Sequence, residues 1–282
     1  MMTQKYFITG ASGGLGIELV KKALNQGHTV VAAVRKPAAL AALAEQYGKR
    51  LIIEQLDVTR LDTLAAAAAK HPDTDVLINN AGGAILGAME ELSDEQVQQQ
   101  LNLNLLAPIY LTRAFLPAMR TKKHGVIVYI TSVGGRVSFA GGAMYHTAKF
   151  GLEGFAETMA QELADFGINT LIVEPGSMQT DFIHNLNWSE ESEAYRDSTV
   201  GQMRRYIRQY GSDNIAGDPV KIAAVIDDLI RMPQPPLRTA LGTDTFSTLQ
   251  QAYSRQLDEL EAQQDLAKSV AFEGKTGFTP NA

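Results

Sequence analysis

Short apolar runs alternate with longer segments of helical periodicity along most of the chain. Lys5–Thr9, Thr29–Val34, Arg50–Gln55, Asp75–Asn79, Gly125–Thr131 and Asn169–Glu174 are rich in Val and Ile, and each is expected to be a strand. Between them, Gly14–Asn25, Ala38–Tyr47, Leu61–Lys70, Ser93–Arg120 and Ala143–Phe166 place apolar residues at helical spacing. Ser93-Asp94-Glu95-Gln96 offers a capping box at the start of the fourth helix. The strands are near-continuously apolar rather than alternating, which implies burial on both faces. The expected fold class is therefore α/β: a doubly wound Rossmann fold, with a central parallel sheet of about seven strands and helices on both faces.

The texture changes after Pro175. Residues 181–215 lack clear strands and are rich in Asn, Ser, Glu and Arg. Asp218–Arg231 is helical, opening on an N-cap aspartate followed by proline. Met232-Pro233-Gln234-Pro235-Pro236 ends that helix, and Leu237–Leu241 is a last candidate strand. Leu249, Tyr253, Leu257 and Leu260 then form an amphipathic stripe, expected to pack on its own body or on a neighbouring subunit. No linker is evident. The expectation is one domain over residues 1–282, with 181–215 as an inserted substrate lid and 242–282 as a C-terminal helical extension. Its end, Lys275–Ala282, has the composition of a frayed tail.

Composition narrows the partners. The 282 residues are 45% hydrophobic and 20% charged, as in an ordinary globular protein. The net charge of −6 argues against a nucleic-acid partner. There is no cysteine, which excludes disulfides, thiolate metal sites and cysteine nucleophiles. The five histidines show no metal-ligand spacing, so no metal is expected. No apolar window is long enough to span a membrane, and the short apolar start is unlike a secretory signal. A cytoplasmic protein is expected.

Candidate chemistry begins after the first strand. In Thr9-Gly10-Ala11-Ser12-Gly13-Gly14-Leu15-Gly16, glycines allow a tight turn and close approach to a pyrophosphate at a helix N-terminus. An ordinary flexible turn is the alternative. At the end of the second strand, Val34 stands where an NAD site has an acid for the ribose 2′-hydroxyl. Arg35 and Lys36 follow, and a guanidinium there suits a 2′-phosphate. The expected cofactor is NADP(H), preferred over NAD(H). Farther on, Tyr145 and Lys149 are four apart, hence on one helix face. Ser132 ends a strand at the edge where open α/β sheets bind ligands.

Together, Thr9–Gly16, Asp57-Val58, Asn79-Asn80-Ala81-Gly82, Asn104, Ser132, Tyr145/Lys149 and Pro175-Gly176-Ser177-Met178-Gln179-Thr180 give the chain a resemblance to the short-chain dehydrogenase/reductase family. The resemblance covers residues 4–182 strongly and 183–282 loosely. It implies that Tyr145 is the general acid/base, that Ser132 orients the carbonyl oxygen, and that Lys149 lowers the tyrosine pKa and holds the nicotinamide ribose. Asn104 would retain a water linking Lys149 to solvent. Asp57 and Val58 would meet the adenine. Asn80, with Ala81 and Gly82, would lie near the adenosine ribose. Thr180 and the backbone around Pro175, Gly176 and Met178 would bind the carboxamide. The implied activity is NADP(H)-dependent reduction of a ketone or aldehyde, reversibly an alcohol dehydrogenase, in a homodimer or homotetramer. An NAD-dependent alcohol or hydroxysteroid dehydrogenase and a non-catalytic NADP(H)-sensing module are the alternatives. Phe182, Ile183, Leu186 and Trp188 suggest an apolar substrate such as a steroid, retinoid, or aryl or alkyl ketone. Met178 is a further candidate for that pocket. Arg204, Arg205 and Arg208 are expected on a solvated helix face, with an acidic substrate as the alternative, and His146 is expected to point away from the reaction.

Overall fold

The computed structural model describes residues 3–275 apart from 212, 214 and 273. Residues 276–282 of the expected tail lie outside the described residues. The strands are β1 Lys5–Thr9, β2 Thr29–Val34, β3 Leu51–Gln55, β4 Val76–Asn79, β5 Ile85–Leu86, β6 Gly125–Ile130, β7 Ile168–Pro175, β8 Asn187–Trp188 and β9 Arg238–Leu241. The helices are α1 Gly14–Asn25, α2 Ala41–Tyr47, α3 Leu61–Ala69, α4 Asp94–Leu101, α5 Ala107–Lys122, α6 Ala143–Leu163, α7 Glu193–Arg196, α8 Thr199–Tyr210, α9 Pro219–Ile230, α10 Thr243–Glu261 and α11 Gln264–Ser269.

Seven strands form one parallel sheet in the order β3-β2-β1-β4-β6-β7-β9. Its two faces are separate cores, because neighbouring residues on a strand point to opposite sides. Ile8, Val30 and Val128 pack with α1 and α9 through Leu19, Leu24, Ile226 and Ile230. Phe7, Val31 and Ile127 pack on the other face with α3, α5 and α6 through Leu64, Phe115 and Leu152. All six residues of β6 are buried, as its unbroken apolar run requires.

Local chemistry sets the helix starts. Ser93 Oγ accepts from Gln96 N, and Ser93 N donates in turn to Gln96 Oε1, closing the expected capping box. Asp218 accepts from Val220 N and Lys221 N, with Pro219 opening α9. The long helix expected over Ser93–Arg120 is interrupted by a π-helical turn at Asn102–Leu106. Asn104 Nδ2 reaches Gln100 O at 3.3 Å, the carbonyl that the Asn104 N–H would take in an α-helix.

The segment 181–215 holds more order than its composition suggests. β8 pairs in parallel with β5, and α8 follows after the short α7. The stripe on α10 is only partly covered. Leu249 is buried, while Tyr253, Leu257 and Leu260 are exposed.

The order of the sheet reverses between β1 and β4, and at such a point the loops leaving the two strands separate into a crevice.

Candidate active site

The loops after β1 and β4 are stitched together at this crevice. Thr9 Oγ1 accepts from both Asn80 N and Ala81 N at 3.0 Å. Asn80 Nδ2 donates to Thr9 O at 2.9 Å and Gly10 O at 3.3 Å. Gly10 has φ +63°, and a Cβ there would lie 2.8 Å from Ala81 Cα. A Cβ on Gly16 would lie 2.2 Å from Gly10 O, so the first turn of α1 descends onto the loop in a way only glycine allows. Gly13 is the cap residue of α1, with no side chain satisfying the first N–H groups and no acid in the first turn. That end of the helix is open to an anion. Gly10, Gly13, Gly14 and Leu15 line a cavity of about 440 Å³, as do Asn80, Ala81 and Gly82. Ser12 is exposed, and Gly16 is buried beneath the loop.

The same cavity reaches Ser132, Tyr145 and Lys149. Ser132, just past β6, accepts from Gly134 N at 3.0 Å and lines the same cavity as Tyr145. Tyr145 and Lys149 are one turn apart on α6, and both are buried. Lys149 Nζ donates to Ile130 O at 2.9 Å, which anchors it to the end of β6. Burial pushes the Tyr145 phenol up, and Ser132 opposes it. Burial also depresses the Lys149 ammonium to about 8, with Glu153 acting in the other direction.

Asn104 stands behind this group, buried in the π turn. It donates to Gly83 O at 2.9 Å and accepts from Gly83 N at 3.3 Å. It meets neither the cavity surface nor Lys149 directly. Gly82 lies between them, since a Cβ there would stand 3.2 Å from Asn104 Oδ1 and 3.7 Å from Lys149 Nζ.

Pro175, Gly176, Met178 and Thr180 close the cavity beyond β7. Arg35 and Lys36 are exposed just past β2, outside this cavity and without a side-chain partner among the described residues. Asp57 uses Oδ1 on Thr59 N and Oγ1, at 3.0 and 2.7 Å, and Val58 is buried beside it. Phe182, Ile183 and Leu186 line the cavity from the segment that follows β7. Trp188 does not. It stacks under the guanidiniums of Arg204 and Arg208, 5.5 and 5.4 Å from its ring.

One further expectation needs correction, and one that holds gains a structural role. Arg204 is neither solvated nor free for an acidic substrate: it is 2% exposed and paired with Glu91 at 2.9 Å. His146 is also buried. Its Nδ1 meets Gly134 O at 2.7 Å, while Nε2 accepts from Phe139 N at 3.1 Å, a pattern that needs neutral imidazole. It thus holds the loop that follows Ser132. Sequence reading missed Phe139, Leu86 and Ile207 as lining residues, and Asp244, whose carboxylate fixes Ser177 N and Oγ at 2.8 Å. None of these sits in a local motif. Among the described residues no cluster of acids and histidines could hold a metal, and no helix is long and apolar enough to cross a membrane.

Comparison with known proteins agrees with this architecture. Residues 4–191 match the family model described as short chain dehydrogenase. A 3-ketodihydrosphingosine reductase from Bacteroides thetaiotaomicron is 34% identical over 250 residues, covering 86% of this chain and 89% of its own. A short-chain dehydrogenase from Streptomyces avermitilis, solved by crystallography, superposes with a TM-score of 0.87 at 35% identity, over 95% of this chain and 98% of its own. The crystal structure of a metagenomic short-chain oxidoreductase in complex with NADP gives 0.67 at 28% identity, over 84% and 96%.

Proposed function

The chain belongs to the short-chain dehydrogenase family, and we propose that it uses NADP(H), in preference to NAD(H), to reduce an apolar ketone or aldehyde to the alcohol, reversibly. The observation that carries this reading is the convergence of half-buried Ser132 with buried Tyr145 and Lys149 on the cavity into which the uncapped N-terminus of α1 opens.

The residues fit a dinucleotide. Gly10 and Gly16 leave no room for side chains where the loop must hug the helix, and the free N–H groups of α1 suit a pyrophosphate. Asn80, Ala81 and Gly82 would border the adenosine side, with Asp57 and Val58 at the adenine and Arg35 and Lys36 at a 2′-phosphate. Pro175, Gly176, Met178 and Thr180 would hold the nicotinamide end. A bound nicotinamide dinucleotide supplies the hydride.

The protein's own groups supply the proton. Because burial holds Tyr145 as the neutral phenol, it can donate its proton to the carbonyl oxygen as charge develops there. Ser132 Oγ–H orients that oxygen beside the phenol. Lys149, at about 8, stays mainly an ammonium at neutral pH and stabilises the phenolate left behind. Asn104 and Gly82 lie behind Lys149 on the proposed route by which the proton is restored. The lid side chains Phe182, Ile183 and Leu186 exclude water and favour apolar substituents.

NADPH oxidation with a panel of ketones and aldehydes tests the reading. Tyr145→Phe should bind NADPH as the native protein does and lose roughly 10²- to 10⁴-fold in turnover. Arg35→Ala should weaken NADPH binding by roughly tenfold or more and leave NADH binding unchanged. No turnover of any carbonyl by the native protein, or native preference for NADH, overturns it. A cytoplasmic location and assembly as a homodimer or homotetramer belong to the same proposal, and light scattering of the purified chain checks the assembly.

A further inference from the structure

Lid and body meet at one buried carboxylate. Glu91 lies in the turn before α4, its side chain 3% exposed. Its Oε2 accepts from Ala88 N at 3.1 Å, from Ser189 Oγ at 2.9 Å and from Arg204 Nη2 at 2.9 Å. Its Oε1 accepts from Ser192 N at 2.8 Å and Ser192 Oγ at 3.0 Å. These donors come from three segments: the body turn, the chain following β8, and α8. Arg204 Nη2 also donates to Ser189 Oγ at 2.9 Å, which closes a small ring of bonds. The body chain touches the lid at the same place. A Cβ on Gly87 would stand 1.8 Å from Ser189 Oγ, and φ there is +156°. Strands β5 and β8 pair directly beside it, Leu86 opposite Trp188.

Three apolar cavity residues hang from this hub. Leu86 precedes Gly87, Leu186 precedes β8, and Ile207 is one turn beyond Arg204 on α8. A shift of α8 or β8 relative to β5 would change the distances among them. A carboxylate with five donors, one of them a buried guanidinium, resists such a shift, since each freed group would be left unpaired away from water. Arg204 has its counter-charge within the hub, so it positions the lid and does not receive an anionic substrate.

We infer that Glu91, acting through Arg204 and Ser189, is a specificity-determining positioning residue that fixes the width of the apolar end of the cavity and so selects bulky, uncharged carbonyl compounds. The substrate half of this inference rests on the reductase reading above. Glu91 touches no reacting atom, and its effect should fall on fit, not on proton transfer.

The experiment compares the native protein with Glu91→Gln, which keeps the shape and removes the charge. Two measurements need no turnover: amide hydrogen exchange across residues 181–210, and fluorescence titration with prodan, a bulky naphthyl ketone. Glu91→Gln should speed exchange in the lid while leaving β1, β4 and β6 unchanged, and should weaken prodan binding roughly tenfold, about 1.4 kcal/mol. NADPH affinity should not move. In turnover, KM for bulky ketones should rise while KM for acetone and kcat stay within about twofold, since the reacting groups keep their places. Should Glu91→Gln fail to fold, Arg204→Lys keeps the charge, loses the Nη2 that bonds both Glu91 and Ser189, and should give the same pattern. Unchanged lid exchange with unchanged prodan affinity overturns the inference even if the native protein reduces ketones. So does an equal loss for small and bulky ketones. A native protein that reduces no carbonyl, but whose Glu91→Gln variant loosens the lid and releases prodan, sinks the reductase reading and supports the positioning role.

Discussion

Lys149 is where the proposed chemistry and the stability of the fold pull apart. Its side chain is 5% exposed, and burial depresses its pKa from 10.5 to about 8. The folded protein near neutral pH therefore holds a desolvated ammonium. At about 1.4 kcal/mol per pKa unit, that costs about 3 kcal/mol relative to the unfolded chain. Lys149→Met keeps the length and removes the charge. It also removes the bond from Nζ to Ile130 O, worth about 1 kcal/mol. The variant should thus be about 2 kcal/mol more stable than the native protein without cofactor near pH 7, and inactive. The pH dependence carries the sharper test. Between the folded value of about 8 and the unfolded value of 10.5, the unfolded chain binds the additional proton. Native stability gains from this group as pH rises through that window, as the folded state sheds the charge. The advantage of the variant should shrink by about 1 kcal/mol between pH 7 and pH 9. Urea unfolding followed by circular dichroism at both pH values reads the difference directly. A variant less stable than the native protein, or an advantage that does not change with pH, would refute the reasoning.

The remaining predictions concern the walls of the site. Burial lowers the His146 pKa, partly opposed by its bond to Gly134 O. Its contribution to stability should be complete above the unfolded value of about 6.5 and be lost progressively as pH falls below it. The native protein should therefore lose more stability than His146→Gln on acidification from neutral pH, and parallel urea midpoints for the two would contradict this. Gly16→Ala would place a Cβ 2.2 Å from Gly10 O and 2.7 Å from Asn80 Nδ2. It should cost roughly 1–3 kcal/mol in thermal stability and weaken NADPH binding with it; an unperturbed melting temperature would show that the loop can yield.

What sequence makes legible here is whatever repeats locally. β1, β2 and α1 fall where the apolar pattern places them, because a buried parallel strand needs an unbroken apolar run and a helix needs its stripe. Tyr145 and Lys149 could be placed on one face because helix geometry alone relates them. The pair β5 and β8 is a different case. Two residues have no periodicity, and Leu86 meets Trp188 only because lid and body fold together. The π turn is equally silent in sequence. Asn102–Leu106 has the apolar content of any α-helix, and the extra residue in the turn goes with Asn104 bonding Gly83 and Gln100.

Arg204 shows why a charged residue is the hardest to read. On a lone amphipathic α8 an arginine belongs in water, and transferring it inward alone would be prohibitive. Its place is decided by Glu91, 113 residues earlier, whose carboxylate is itself held by Ser189 and Ser192. No member of this set is stable in the interior without the others. The hub therefore has no local precursor in the sequence, and it forms only when β8 and α8 close on the body. The same interdependence makes the lid a unit: loosening one donor should free the whole of α8 from β5, rather than displace a single side chain. This leads to a last prediction. Ser189→Ala, which removes one donor from Glu91 and one acceptor from Arg204, should speed hydrogen exchange in Thr199–Tyr210 as well as beside β8. Exchange that changes only at residues next to Ser189 would show the contacts to be independent.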